Sequence, residues 1–417
     1  MSKDTLFKRA DRTAWLLLGL AWLALRLPLW LMSHGADFDM ESYARVAAAL
    51  SEGRKLYGDP ALAGRYPYLP LWALLLWGLN GLAGLLQVAP GLLFKLPGIL
   101  ADLGVTALIF LICSRLVSPV APSQPSQRAW LGRPFWAALC WAANPVPALI
   151  SAGHGQFDSL ALALLLLAAW YLEFSENPRS DFAAALSLGF AISLKSWPLF
   201  FLPLFLKGFS NRGERLRFAA LSLALPLLLL LPFAVSCGLG DTLGALSYTG
   251  SQAFSMPEAL RGFFFGAGAS AETYHAVAGA WRLLCVAILG LSWIAYTFGP
   301  WRFPLLAGMA FATLTLYVFA PGLAAQYLCW LLPFALLIPG RLALRHSLLA
   351  LPALLVFYSL FAPEAFLRSG DWKQPALAPA FFLGWGIFNL VFWLLMLREW
   401  IGLWRLCRRP SGRLAFS

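Results

Sequence analysis

Apolar runs about as long as a bilayer-crossing helix, ~20 residues each, recur from one end of this chain to the other, and that recurrence leaves one class of fold open. Lipid accepts only segments whose backbone hydrogen bonds close internally, so the runs must be helices packed beside one another. The expected fold is an all-α polytopic membrane protein with about 12 spans. With 60% of its 417 residues apolar and 12% charged, the chain has no stretch left over for a soluble domain.

Charge orients the spans. The net charge of +12 falls in short segments between the runs and at the tails, a topological pattern rather than a nucleic-acid surface. Lys3, Lys8, Arg9 and Arg12 precede the first run, Ala14 to Met32, which is too long for a signal-peptide core and has no small-residue cleavage site. It reads as a retained span with its N-terminus in the cytoplasm. The basic segments Ser118 to Pro134, Lys207 to Arg217 and Gly340 to His346, and the tail with Arg398, Arg405, Arg408, Arg409 and Arg413, are cytoplasmic by the same rule. The loop from Ser33 to Tyr68 is then outside, on the periplasmic, extracellular or luminal face.

Two full crossings between Leu69 and Val117 would put the 118–134 loop outside as well, so one of those segments is expected to break at Pro90 or Pro97 into half-crossings. Asp181 to Leu206 is expected to go out and back as two short arms with Lys195-Ser196-Trp197-Pro198 at the apex. Ser236 to Gly279, with Tyr248, Glu258 and Arg261, reads as a long outer loop. The organisation is therefore a membrane module over 1–235, holding the 33–68 loop, and a C-terminal part over 236–417. The six cysteines are dispersed, without metal or redox spacing, and read as small hydrophobes.

Three polar islands fall on the outer face. The first, His34 to Tyr43, carries Asp37, Asp39 and Glu41. From Asp39 to Leu50 the apolar positions Met40, Tyr43, Val46, Ala47 and Leu50 keep helical spacing, so this segment reads as an amphipathic helix on the outer membrane surface. The second runs from Asn144-Pro145 to Ser159 and includes His154, Gln156 and Asp158; the third is centred on Lys195. Each has a bland explanation: acids at a helix start, a lysine snorkelling to headgroups, caps for the helix after Ser159, and Gln326 bonding between helices.

Together they have a chemical one. A carboxylate at an outer interface serves as a general base toward a hydroxyl if the partner is a good electrophile. A sugar joined through its anomeric carbon to a lipid phosphate is such a partner, because its leaving group departs as an anion that cations stabilise. In this reading Asp39 is the base, Lys195 and His154 hold the phosphate, and attack opposite the leaving group inverts the anomeric centre.

The same residues resemble a known family, the GT-C multispanning glycosyltransferases that use polyprenyl- or dolichyl-phosphate sugars, and within it the GPI mannosyltransferase I catalytic subunit and its bacterial relatives. Asp37-Phe38-Asp39 with Tyr43-Ala44-Arg45-Val46-Ala47 is similar to the family's D-x-D loop, and Leu56-Tyr57 to Tyr66-Pro67-Tyr68-Leu69-Pro70-Leu71 to its S-P-Y…Y-R-Y-T-P-L run. Asn144-Pro145 through Ser151, Gly155 and Asp158-Ser159-Leu160 resembles N-P…S-T-R-G-x-x-E-S. Lys195-Ser196-Trp197-Pro198 resembles K-I-Y-P, and Ala325-Gln326-Tyr327-Leu328-Cys329-Trp330-Leu331-Leu332-Pro333 resembles S-Q-Y-F-x-W-Y…L-P.

The resemblance implies transfer of mannose, or a related hexose or pentose, from a polyprenyl-phosphate donor to a lipid-linked or glycan acceptor. It places the base at Asp37 or Asp39, with Asp39 preferred because it begins the helix and is spaced from the next aromatic as in related glucosyltransferases. It makes Glu41, Tyr43, Tyr66, Tyr68, Gln156, Asp158, Gln326 and Tyr327 substrate-binding candidates. The family's arginine is replaced here by Gly153-His154-Gly155 and its glutamate by Asp158. A divalent cation at Asp37 and Asp39 is an option the D-x-D pattern raises, not a requirement. The rival readings are a transporter or flippase of a lipid-linked saccharide, and a polymerase that joins lipid-linked repeat units.

Overall fold

A computed structural model describes residues 3–117, 132–247, 254–299, 303–362 and 379–407. Most of the 118–134 segment, Tyr248, and Arg408, Arg409 and Arg413 lie outside these residues. Among the described residues the chain is all-helical, with no strand. Seven helices are long and apolar enough to cross a membrane, and five further apolar helical segments of 10–17 residues are shorter. Hydropathy gives the same signal for a full crossing and for a short helix buried among others, so a count of about 12 does not separate the two kinds.

The first helix, α1 (Lys3–Met32), covers the first run. The next, α2 (Asp37–Ser51), is the expected amphipathic helix, starting at Asp37 rather than Asp39. Its apolar face, with Tyr43, Val46, Ala47 and Ala49, packs against Trp72, Ala73 and Leu76 of α3 (Pro70–Leu86) in one apolar cluster. The face is covered by protein and not by lipid, a distinction that a helical stripe cannot carry.

The expected break does not occur. Helix α4 (Pro90–Val117) begins at Pro90, where a missing N–H costs nothing, and continues through Pro97. It runs antiparallel to α1: Trp30 Nε1 donates to Leu92 O at 2.8 Å, Trp22 Nε1 to Ile99 O at 3.1 Å, and the Trp15 and Phe110 rings lie 4.8 Å apart. The start of α4 therefore lies at the Met32 end of α1, which is the Asp39 end of the molecule. Helix α3 starts at that end too, after Tyr68, and finishes a short turn before Pro90. Both of its ends lie at one level, and of the two helices only α4 is long and apolar enough to cross a membrane.

Three elements, α5 (Arg133–Ala142), α6 (Pro145–Ala148) and a π-helical turn (Leu149–His154), return toward the Asp39 end. The helices α7 (Asp158–Glu173) and α8 (Ser180–Leu194) form a hairpin. The chain then breaks at Lys195-Ser196 and turns back through a 3-10 turn (Trp197–Phe201) and α9 (Leu202–Leu206), the out-and-back arms expected from the sequence. After α10 (Arg212–Cys237), the stretch read as a long outer loop is instead largely helical: α11 (Leu239–Leu246), α12 (Met256–Gly266) and the start of α13 (Ala271–Phe298). Its glycine and alanine content looks loop-like but permits close helix contact. Beyond it lie α14 (Leu305–Phe319), a 3-10 turn (Ala325–Cys329), α15 (Leu332–Leu337), α16 (Leu342–Phe361) and α17 (Pro379–Cys407).

Helix α14 is buried from Leu305 to Val318 and forms the centre, whereas α1, α10 and α13 expose most of their apolar side chains, as lipid-facing helices do. One apolar core joins residues of 1–235 to residues of 236–417. Helices α12 and α17 meet at Gly262 and Gly386: a Cβ on Gly262 would stand 2.5 Å from Gly386 Cα and 2.5 Å from Phe382 O. Gly262→Ala is therefore expected to destabilise the fold by about 1–3 kcal/mol through overpacking. The shift of the SDS-denaturation midpoint in mixed micelles checks this, and an unchanged midpoint would count against the close contact.

Basic residues collect at the end away from Asp39. Arg115 closes α4, Arg179 precedes α8, Lys207 follows α9, Arg212 opens α10, Arg345 lies in the first turn of α16 and Arg405 in the last turn of α17. At the Asp39 end, Arg45, Arg54 and Arg65 are paired with Glu41, Glu52 and Asp59.

Candidate active site

The turn after α1 and the π-helical turn before α7 are stitched together. Ala36 N donates to His154 O at 2.9 Å, Ser33 Oγ to Gly153 O at 2.6 Å, and buried Lys95 Nζ to Ser33 O at 2.7 Å. The π turn ends at Gly155 with φ +92°, a backbone conformation that side chains rarely adopt, and a Cβ there would collide with Met40. A π turn widens the helix by one residue and is a frequent mark of functional positions. Here it aims His154 at α2.

His154 Nε2 meets Asp39 Oδ2 at 2.5 Å, and His154 Nδ1 meets the Tyr358 hydroxyl of α16 at 2.9 Å. An ionised carboxylate only accepts, so Nε2 carries a proton and donates it to Asp39. Asp39 keeps 21% of its side chain exposed. Burial raises its pKa, but the hydrogen bond and charge of His154, followed by Gln156 and Lys195, outweigh this and hold the carboxyl below its ordinary 3.8.

Beside this chain lies a buried ion pair. Lys195 Nζ donates to Asp158 Oδ2 at 2.7 Å and to Gln156 Oε1 at 3.2 Å, with both charged side chains at most 3% exposed. The ammonium also sits over the Phe157 ring at 4.3 Å and the Tyr68 ring at 5.1 Å. Trp330 Nε1 donates to the other oxygen of Asp158 at 2.7 Å, and the Trp330 ring is stacked between Trp197 and Tyr327. Lys195 thus does not snorkel and Asp158 does not cap.

The loop bearing His154, Gln156 and Asp158 is pinned from inside the bundle. Asp102 accepts from Ser151 Oγ at 2.5 Å and from Ser159 Oγ at 2.5 Å, so its carboxylate holds both ends of the loop. Arg26 Nε pairs with Asp102 at 2.8 Å, both almost fully buried. Ionisable groups at such depth are costly enough that they are kept for a purpose, and this purpose is visible.

The structure gathers Asp39, His154, Gln156, Asp158, Lys195 and Tyr68, with Tyr327 behind Trp330. It does not bring Glu41 into the group: that carboxylate faces outward, paired with Arg45 and Arg65, whose hydrogen bonds lower its pKa. Tyr66 is a strut, its hydroxyl donating to Leu69 O and accepting from Ala73 N at 2.8 and 2.7 Å. Tyr43 is buried among Trp72, Phe94 and Phe157. Gln326 is half-buried in the 3-10 turn. Not singled out as site residues from the sequence were Tyr358, Trp330, Asp102, Arg26 and Lys95. For the last three the available signal was an ionisable residue inside an apolar run; Trp330 stood within a quoted motif, and Tyr358 had no local signal.

The cation option fits these residues poorly. Asp37 and Asp39, two positions apart on one helix, project about 200° from each other, and one oxygen of Asp39 already accepts from His154. Among the described residues no group of three or more His, Cys, Asp or Glu converges.

The pH response follows from the direction of the Asp39 shift. Its folded pKa lies below its unfolded one, so the stabilising ionised state is present above the unfolded pKa and is lost as pH falls through the folded value. The Asp39-dependent acid limb is thus expected below pH 3.8. His154→Gln removes the two largest lowering contributions and should move that limb to higher pH, read from a pH–rate or pH–stability profile. A limb left in place would show that His154 does not set the state of Asp39.

No protein-family model matches the chain, and comparison with curated proteins yields no match.

Proposed function

We propose that this protein is an inverting glycosyltransferase of the GT-C type, with about 12 membrane segments, moving a hexose, mannose foremost, from a polyprenyl-phosphate carrier to a glycolipid or glycan hydroxyl. The observation that carries the reading is the Asp39 assembly: one ionised, partly exposed carboxylate oriented by His154, beside a buried ammonium, at one end of a helical bundle. The segregation of bases to the far end supports a cytoplasmic placement for that end and for both termini, with the Asp39 end periplasmic, extracellular or luminal.

In this reaction the acceptor oxygen attacks C1 of the sugar while the C1–O bond to phosphate breaks, its electron pair leaving on the phosphate. The hydroxyl proton passes to Asp39. Lys195 spends two N–H donors on Asp158 and Gln156, leaving a third for a phosphate oxygen. Since both ring nitrogens of His154 are engaged, we assign it to orienting Asp39 rather than to holding phosphate.

Proteoliposomes with labelled polyprenyl-phosphate mannose and extracted lipid acceptors test this against transport. Labelled glycolipid product supports transfer. Passage of intact donor across the bilayer with no product would replace the proposal with a flippase.

A further inference from the structure

At the end of the bundle opposite Asp39, a groove of about 470 Å³ lies between the first turns of α16 and the last turns of α17. Arg345, Arg398 and Arg405 line it with Glu399, and Gly402 has open space beside it. Arg345 is paired with Glu399 at 2.8 Å, and no ion pair engages Arg398 or Arg405 among the described residues. Three arginines against one glutamate leave two positive charges unbalanced.

The groove is a place apart from Asp39. Arg345 precedes Tyr358, which touches His154, by 13 residues of α16, or about 20 Å of helix. Its surroundings are amphipathic along one direction. Leu348, one turn from Arg345 toward the membrane centre, is 66% exposed, and Leu394, one turn from Arg398 in the same direction, is 48% exposed. Trp400 and Trp404 stand at the level of the arginines, where aromatic side chains mark a membrane–water boundary. Cations at the boundary with apolar surface directly beneath them match a molecule with an anionic head and acyl chains.

We propose that this groove binds one anionic phospholipid, its phosphate between Arg398 and Arg405 and its chains along Leu348 and Leu394. Planar guanidinium groups take phosphate oxygens in pairs, and each arginine near an anionic headgroup strengthens binding about fivefold. The site is independent of the reaction assigned to Asp39.

The test is native mass spectrometry of the detergent-purified full chain titrated with phosphatidylglycerol or phosphatidylcholine, beside Arg398→Gln/Arg405→Gln and Glu399→Gln. One phosphatidylglycerol is expected to bind in preference to phosphatidylcholine, about 25-fold more weakly in the double variant. It should bind more tightly in Glu399→Gln, a gain that misfolding cannot produce. Equal affinity for the two lipids, or unchanged affinity in both variants, would overturn the proposal. Displacement of phosphatidylglycerol by an equal concentration of inorganic phosphate would overturn the lipid as occupant.

Discussion

Asp39→Asn is expected to lower kcat of sugar transfer by roughly a thousandfold while leaving KM for the donor within about threefold, the pattern of a group that acts in the transition state alone. The substitution keeps the size and one acceptor oxygen, so His154 Nε2 retains a partner and the stitched turn at Ala36 is untouched. What disappears is the charge that accepts the hydroxyl proton. Asp37→Asn serves as the control, because Asp37 is exposed in the first turn of α2 while Asp39 meets His154. Kinetics of the two variants side by side decide the matter: a loss confined to Asp37→Asn would move the base two residues upstream.

The largest effect on stability is expected at Asp102. Replacing it by Ala leaves Arg26, 1% exposed, as an uncompensated cation inside the bundle and removes the acceptor for Ser151 and Ser159. A cost of about 3–5 kcal/mol follows, measured by SDS titration in mixed micelles. The double replacement Arg26→Met/Asp102→Leu removes both charges and should recover most of that stability. It does not restore the pin on the loop, so transfer should remain impaired in the recovered protein. If the double variant regains stability and full activity together, the pair serves only the fold.

These two residues also show where sequence reading reaches its limit. Asp102 and Lys95 stand out in an apolar run because charges there are expensive, but nothing local says that Asp102 grips a loop about 50 residues away. Positions within one element were legible: the period of Tyr43, Val46, Ala47 and Leu50 gave α2, and Lys195-Ser196-Trp197-Pro198 gave the break between two arms. So was the convergence of Asp39, His154 and Lys195 on one end, since the sign of the flanking charges orders the loops. The path of α3 was not, because a 17-residue apolar helix reads alike whether it crosses or packs on α2. Tyr358 was invisible, its contact with His154 bridging 204 residues. The pairing of Lys195 with Asp158 lay equally out of reach, because it needs the start of α7 and the end of α8 to be brought side by side in the hairpin.

The measurement that bears most directly on the central claim is the anomeric configuration of the product formed by the purified wild-type protein from a short-chain polyprenyl-phosphate mannose and a lipid acceptor. A single displacement at Asp39 predicts a glycosylated lipid whose anomeric centre is inverted relative to the donor, read from its one-bond carbon–proton coupling. A retained centre would contradict that mechanism, and no product from any lipid-phosphate sugar, with the folded protein binding polyprenyl phosphate, would contradict the transferase itself.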